Sequence, residues 1–270
     1  MTNKYRRARK KRKKWWPYLL SFFLLVVLGS GIGAYLAKPS LFSGLQFWKY
    51  KKTAVTTPSS SKKKEEKSDL PAVSTKDWQL ILVNRDNVKP ELNPQLTDVD
   101  AIKVDSRIVE PTRQFLEAAR KIAPEETLIS GYRSVAEQTE LYNERVAQLE
   151  ASGLSHEEAE KQVQTQVQVP GASEHQTGLA IDMSVEAGQS DELGMQLAAI
   201  APQYGFVLRY PDGKSNITGV NFENWHFRYV GVENAQYMAK HQLVLEEYIQ
   251  LLKKAGNRRG FTSLGLKNDF

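Results

Sequence analysis

The chain of 270 residues contains no cysteine, which excludes disulfide staples, thiolate zinc sites, cysteine nucleophiles and a lipid anchor carried on a cysteine. Any metal it binds must therefore sit on nitrogen and oxygen ligands. Histidine is scarce as well, with four in the whole chain, so each can be weighed in turn. Acidic residues are nearly missing from the first quarter. Residues 1–67 hold 17 Lys and Arg against Glu65 and Glu66 alone, a balance of +15, while the remainder holds 20 Lys and Arg against 29 Asp and Glu, a balance of −9. The overall +6 does not describe a basic folded protein, and a nucleic-acid partner loses its main support. No internal repeat is visible, and no obligate protein partner can be inferred.

Charge of either sign is absent from Trp15 to Ala37, 23 residues that include Leu19-Leu20 and Phe22-Phe23-Leu24-Leu25-Val26-Val27-Leu28. At about 1.5 Å per helical residue this run can cross a hydrocarbon core of about 30 Å. It reads as an uncleaved transmembrane anchor at 15–37. The basic tail 1–14 is expected in the cytoplasm and everything later on the outer side of the cell membrane. A cleaved signal peptide is the alternative. The apolar run is longer than the usual signal core, and no small-x-small cleavage site is evident, since Ala34 and Ala37 stand three apart. Residues 38–75, with Thr56-Thr57-Pro58-Ser59-Ser60-Ser61 and the charge cluster Lys62 to Lys67, read as a flexible linker.

A folded domain is expected over 76–256, followed by a tail at 257–270. Gln79 to Val83 predicts a strand, and Asn84 to Pro94 an extended loop. Pro111 opens a helix on which Phe115, Ala118, Ala119 and Ile122 follow helical spacing. Thr127 to Ser130 predicts a strand, and Ser134-x-x-Glu137 and Ser155-x-x-Glu158 are capping boxes that start two helices. Ser190 caps a further helix to about Ala201, Phe206 to Arg209 and Asn224 to Tyr229 predict strands, and closing helices lie near Glu233 to His241 and Leu245 to Lys254, stopped by Gly256. Helices and strands do not alternate regularly, so the class is α+β with a mainly antiparallel sheet.

The chemistry concentrates at Gly171 to Ser184, where a Pro170-Gly171 turn leads to His175 and then a short strand. Leu179, Ile181 and Met183 share one face of it; Ala180 and Asp182 share the other. An aspartate on such a strand needs a partner or a metal. A hydrogen-bonded structural His–Asp pair is the plainer alternative. His156 and His241 read as exposed helix residues, but His226 lies in the aromatic run Phe222 to Tyr229, three residues after Glu223. His175, Asp182 and His226 make a His/Asp/His set of the kind that holds a catalytic zinc with one position left for water. Glu223 is the candidate general base, provided a bend or strand end turns it to the same side as His226. Glu174 is the rival, but as the neighbour of a ligand it is expected to point away. Arg133, between a strand and a capped helix, can offer paired donors to a substrate carboxylate, or else pair with Glu137 on the surface.

Three separated motifs, Ser173-x-His175-x-x-Gly178-x-Ala180-x-Asp182, Glu223-x-Trp225-His226 and Ser130-Gly-Tyr-Arg133, resemble those of the VanY-type metallo-D-alanyl-D-alanine carboxypeptidases over roughly Trp78 to Lys254. Within that family the chain is similar to the membrane-anchored streptococcal L,D-carboxypeptidases of peptidoglycan. The resemblance implies a Hedgehog/D,D-peptidase-like fold with one Zn2+ on His175, Asp182 and His226. It also implies Glu223 as base and acid, and Arg133, Gln138 and Ser173 in the substrate pocket. The activity it implies is release of the C-terminal D-alanine from peptidoglycan stem peptides, as an L,D-carboxypeptidase on tetrapeptides. The alternatives are D,D-cleavage of pentapeptides and a non-catalytic wall-binding module on the same fold.

Overall fold

Apolar residues alternating from Leu179 to Met183 build the strand on which the domain is centred. In the computed structural model, which describes residues 69–264 and side chains as far as 256, Ala180–Ser184 is β4, buried along its whole length. It lies inside a four-stranded antiparallel sheet of order β3-β4-β6-β5. The neighbours are β3 (Thr127–Ser130), β6 (Glu223–Tyr229) and β5 (Phe206–Tyr210). A separate antiparallel hairpin, β1 (Leu96–Val99) and β2 (Ile102–Asp105), precedes them. This hairpin is not evident from the sequence pattern; its tight turn is made possible by Asp100 at φ 49, a left-handed conformation that Asp tolerates better than most residues.

One face of the sheet is covered by α1 (Val109–Ile122). Phe115 is fully buried, stacked at 5.3 Å on Phe206 and edge-on at 5.1 Å to Phe227. Ile181, Met183, Leu179 and Leu128 complete this cluster, so every apolar residue of the Leu179–Met183 alternation is spent on the core. A buried aromatic of this kind contributes about 1.5–3 kcal/mol through transfer from water. The outermost residue of the expected helix stripe, Ile122, remains partly exposed.

Both capping boxes form. Ser134 and Glu137 cap α2 (Val135–Ala151) and Ser155 and Glu158 cap α3 (His156–Val163) reciprocally. These two helices pack on a small core of their own around Tyr142, Val146, Ala159 and Val163. Ser190 caps α4 (Asp191–Ile200), and a four-residue helix α5 (Ser215–Thr218) follows β5. The closing helices α6 (Val232–His241) and α7 (Leu245–Leu264) bury Met238, Tyr248, Ile249 and Leu252 in a second cluster with Leu80 and Val207.

Two expectations are corrected. Residues 79–83 form no strand: Trp78–Leu80 is a single 3-10 turn, and the carbonyls of Gln79 and Ile81 accept hydrogen bonds from the buried guanidinium of Arg228, where a strand would have offered them to a neighbouring chain segment. Gly256 does not stop α7. It lies inside the helix, which continues to Leu264, as a solvent-facing glycine weakens a helix by only about 1 kcal/mol. Packing also starts before the boundary read at 76, since Leu70 and Val73 lie against the second cluster. The expected basic tail 1–14, the span 15–37, and the linker up to residue 68 lie outside the described residues, as do residues 265–270. Among the described residues, no helix is long and apolar enough to cross a membrane.

Candidate metal centre

Sheet register brings the site together. Asp182 on β4 pairs directly with His226 on β6, and Ser130 on β3 pairs with Asp182 from the other side. Facing residues in such a ladder hold their Cβ atoms about 4.5–5.5 Å apart. His175 comes from a one-turn 3-10 helix, Glu174–Thr177, whose start is capped by the Ser173 side chain accepting from the His175 N–H. Thr177 Oγ1 donates to the Glu174 carbonyl and accepts from the Leu179 N–H. The turn ends at Gly178, φ 67, whose carbonyl accepts from the Asp105 N–H at 2.9 Å. These local bonds fix the loop that sequence analysis leaves as an irregular, glycine-bounded segment.

His175, Asp182 and His226 are all buried and each offers a ligand atom within 4.8 Å of the others. His175 Nε2 lies 3.4 Å from Asp182 Oδ2, and His226 Nδ1 lies 3.1 Å from Asp182 Oδ1. The two rings meet edge to face at 4.9 Å. His175 Nδ1 donates to the Gly131 carbonyl at 2.6 Å, a tautomer assigned because a carbonyl can only accept, and Nε2 is thereby left as the free lone pair. Asp182 Oδ1 is buried with no aligned hydrogen bond despite its neighbours. Two imidazoles and an under-used carboxylate converging on one point fit a divalent cation of the zinc type, which takes nitrogen and oxygen donors in a tetrahedral set.

Burial and mutual charge shift these groups strongly. Burial alone would raise the Asp182 carboxyl, but His175 and His226 outweigh it and hold the group well below the usual carboxylate range. Burial pushes His175 down. It opposes the charged form of His226 too, yet Asp182 and Glu174 raise that imidazole to about 9. Glu223 is the reverse case: burial pushes its carboxyl up to about 8.

Glu223 begins β6, opposite Tyr210, next to an irregularity in the β5–β6 register between Leu208 and Tyr210. Its Oε2 lies 3.7 Å from His226 Nδ1, which puts it on the side of His226 that faces Asp182. Glu174 points the other way, into a buried cluster with Arg209 and Arg228. Arg133 follows β3. Its guanidinium donates to Gln138 Oε1 at 2.8 Å and to Ser130 Oγ at 3.0 Å; burial lowers its pKa, against the opposing charges of Asp182, Glu137 and Glu223. It does not pair with Glu137, which is occupied by the cap of α2. Gln138 is bracketed on both sides, since its Nε2 donates to the Gln168 carbonyl at 2.5 Å. Ser173 is buried as the cap of the His175 turn. His156 and His241 lie away from the centre, beside Glu150 and Asp69 respectively.

Three further residues, Tyr210, Arg209 and Arg228, surround the site without belonging to any of its motifs. The Tyr210 ring lies 5.0 Å from the His226 ring. Arg209 and Arg228 are fully buried, and the available signal was a charged residue inside each of two otherwise apolar or aromatic strands.

A family model described as "VanY: D-alanyl-D-alanine carboxypeptidase" matches residues 101–232, a span containing all three candidate ligands, Glu223 and Arg133. A D-alanyl-D-alanine carboxypeptidase of Enterococcus faecalis is 38% identical over 181 residues, covering 66% of this chain and 68% of that protein. Among solved structures, a mutant of the vancomycin-resistance D,D-pentapeptidase VanY, from a VanB-type resistance cassette and in complex with Zn(II), superposes with a TM-score of 0.60 at 38% identity, over 64% of this chain and 99% of that one. The LdcB LD-carboxypeptidase superposes with a TM-score of 0.53 at 31% identity, over 63% and 84%.

Proposed function

The chain belongs to the VanY family of D-alanyl-D-alanine carboxypeptidases, and from that premise we propose that it is a zinc-dependent enzyme that removes the C-terminal D-alanine from peptidoglycan stem peptides, acting on tetrapeptides as an L,D-carboxypeptidase. The observation that carries the reading is the convergence of buried His175, Asp182 and His226 with a fourth titratable group, Glu223, 3.7 Å from His226 on the Asp182 side. A purely structural metal site has no use for that fourth group.

In this reading His175 through Nε2, Asp182 through its carboxylate and His226 through Nδ1 would hold the zinc. The metal, when bound, would supply Lewis-acid chemistry and a more acidic water. Arg133 receives the terminal carboxylate of the peptide. Two of its five N–H donors are taken by Gln138 and Ser130, which set the plane of the guanidinium and leave the others for substrate. Glu223 takes a proton from the attacking water at a carboxylate oxygen and delivers it to the nitrogen of the departing D-alanine. The new C–O bond replaces the broken C–N bond, and the products are a shortened peptide carboxylate and free D-alanine. Burial favours the protonated form of Glu223, which helps it hold the proton between those two transfers. Ser173 supports this indirectly, by capping the turn that carries His175.

The catalytic domain over 76–256 is proposed to work on the outer side of the cell membrane, tethered by residues 15–37. That placement rests on the uncharged run flanked by basic residues and on the location of the substrate polymer. Mass spectrometry of products from purified, zinc-supplied full-length protein tests the function. A tetrapeptide shortened by one D-alanine supports the L,D reading, and cleavage restricted to pentapeptide replaces it with D,D specificity. Tight stem-peptide binding with no cleavage of either would leave only a wall-binding module and refute the enzyme.

A further inference from the structure

His226 has two faces, and the second is as specifically built as the first. Its Nδ1 is turned to Asp182; its Nε2 is buried, has no hydrogen-bond partner among the described residues, and lies 3.8 Å from Glu174 Oε2. Glu174 Oε2 is equally buried and equally without a partner. The other oxygen of that carboxylate, Oε1, is saturated, accepting from Arg209 Nε and Arg228 Nη1, both at 2.8 Å.

The carboxylate is rigidly held from behind. Arg209 forms a two-point pair with Glu246 at 3.0 and 2.6 Å, and Asn84 donates to the same Glu246. Arg228 donates through Nη2 to the carbonyls of Gln79 and Ile81 and through Nε to that of Tyr229. Two arginines on one oxygen leave the second oxygen aimed along a single direction, toward the imidazole. Burial would favour a neutral Glu174, but Arg209 and Arg228 outweigh it and keep the group anionic.

We infer that Glu174 is the positioning residue for His226: it accepts the Nε2–H, so that the ring presents the Nδ1 lone pair to the metal. The inference rests on the metal site proposed above. A histidine that ligates through one nitrogen keeps its proton on the other, and a carboxylate acceptor there fixes the ring plane and strengthens the ligand. The 3.8 Å gap is longer than a hydrogen bond of about 2.7–3.2 Å, so the inferred role requires the imidazole to move toward Glu174 in the metal-bound protein. The two histidines are thus braced differently. His175 donates to a neutral carbonyl; His226 faces a fixed charge. The competing view is that Glu174 serves only to neutralise the two arginines, with its orientation toward His226 incidental.

Zinc affinity of the metal-stripped full-length protein, read by competition with a chelator, separates these views when Glu174→Gln is set beside Glu246→Gln. Both substitutions disturb the same arginine network, but Glu246 does not touch His226. The expected result is a loss of zinc affinity of roughly 10- to 100-fold for Glu174→Gln, and less than about threefold for Glu246→Gln at a comparable drop in melting temperature. In the zinc-loaded wild type, 15N-edited NMR is expected to find the His226 proton on Nε2. Equal weakening in both variants, or undiminished affinity in Glu174→Gln, overturns the inference while leaving the metal site standing. If Glu174→Gln does not fold, the NMR measurement on wild type still decides, because zinc on Nε2 with the proton on Nδ1 refutes the role. A wild type with no zinc affinity refutes the metal site and this role together.

Discussion

Replacing Gly178 by alanine puts one methyl group at the junction between the His175 turn and the β1–β2 hairpin. The perturbation has two parts. At φ 67 the residue sits in the left-handed region, which disfavours an L side chain by about 1–2 kcal/mol. The added Cβ would also lie 2.8 Å from the Asp105 backbone nitrogen and 3.3 Å from its Cα and Cβ, where carbon contacts prefer about 3.5–4.0 Å. The neighbour is backbone, and it is tied to Gly178 by the Asp105 N–H bond to the Gly178 carbonyl, so it cannot swing aside as a side chain would. Overpacking of this kind costs about 1–3 kcal/mol, giving a combined loss of roughly 2–5 kcal/mol. For a domain of this size that is a fall in Tm of roughly 4–20 °C, measurable by circular dichroism. Because His175 stands three residues before Gly178, zinc affinity should fall with stability. A Tm within about 1 °C of wild type would refute the steric reasoning. Lowered stability with unchanged zinc affinity would refute the claim that this junction holds the His175 turn in place.

Other outcomes follow from individual groups. Glu223→Gln should retain zinc but lose about 10²- to 10⁴-fold in kcat, as followed by D-alanine release and metal analysis on the same sample. Arg133→Lys keeps the charge but loses the planar pair of donors; kcat/KM on stem peptides should fall about 10- to 100-fold, with little change in a substrate amidated at its C-terminus. Glu126, buried with neither carboxylate oxygen hydrogen-bonded, has its carboxyl pushed up to about 7 by burial. The folded state therefore favours the protonated form. Stability is unaffected below about pH 4.5, where both states are protonated, and is lost as pH rises from there to about 7, by no more than about 3 kcal/mol. Glu126→Gln should accordingly raise Tm at pH 8 and not at pH 4.5, and an equal effect at both pH values would contradict this.

Much of the site was legible because it depends on short-range spacing. Alternation from Leu179 to Met183 placed Asp182 on the face opposite Leu179, Ile181 and Met183, and the capping boxes fixed where α2 and α3 begin. The requirement that Glu223 sit at a bend follows from strand geometry, and the β5–β6 irregularity next to Tyr210 supplies one. What escaped depends on distant partners. The apolar run Leu80 to Val83 has a strand's composition, but Arg228, almost 150 residues later, takes the carbonyls of Gln79 and Ile81. Arg209 and Arg228 both converge on Glu174, a meeting that only the fold reveals. Gly256 read as a helix stop because a glycine's effect depends on what surrounds it, and there nothing lies within contact distance.

The proposed function requires one zinc on His175, Asp182 and His226. Titrating zinc into the metal-stripped full-length protein while recording D-alanine release from tetrapeptide and pentapeptide stems tests it most directly. No release is expected before zinc is added, then a rise that breaks at a single equivalent, and no rise at all in His226→Ala. Release at the full rate from the stripped protein, or an unchanged titration in His226→Ala, would contradict it.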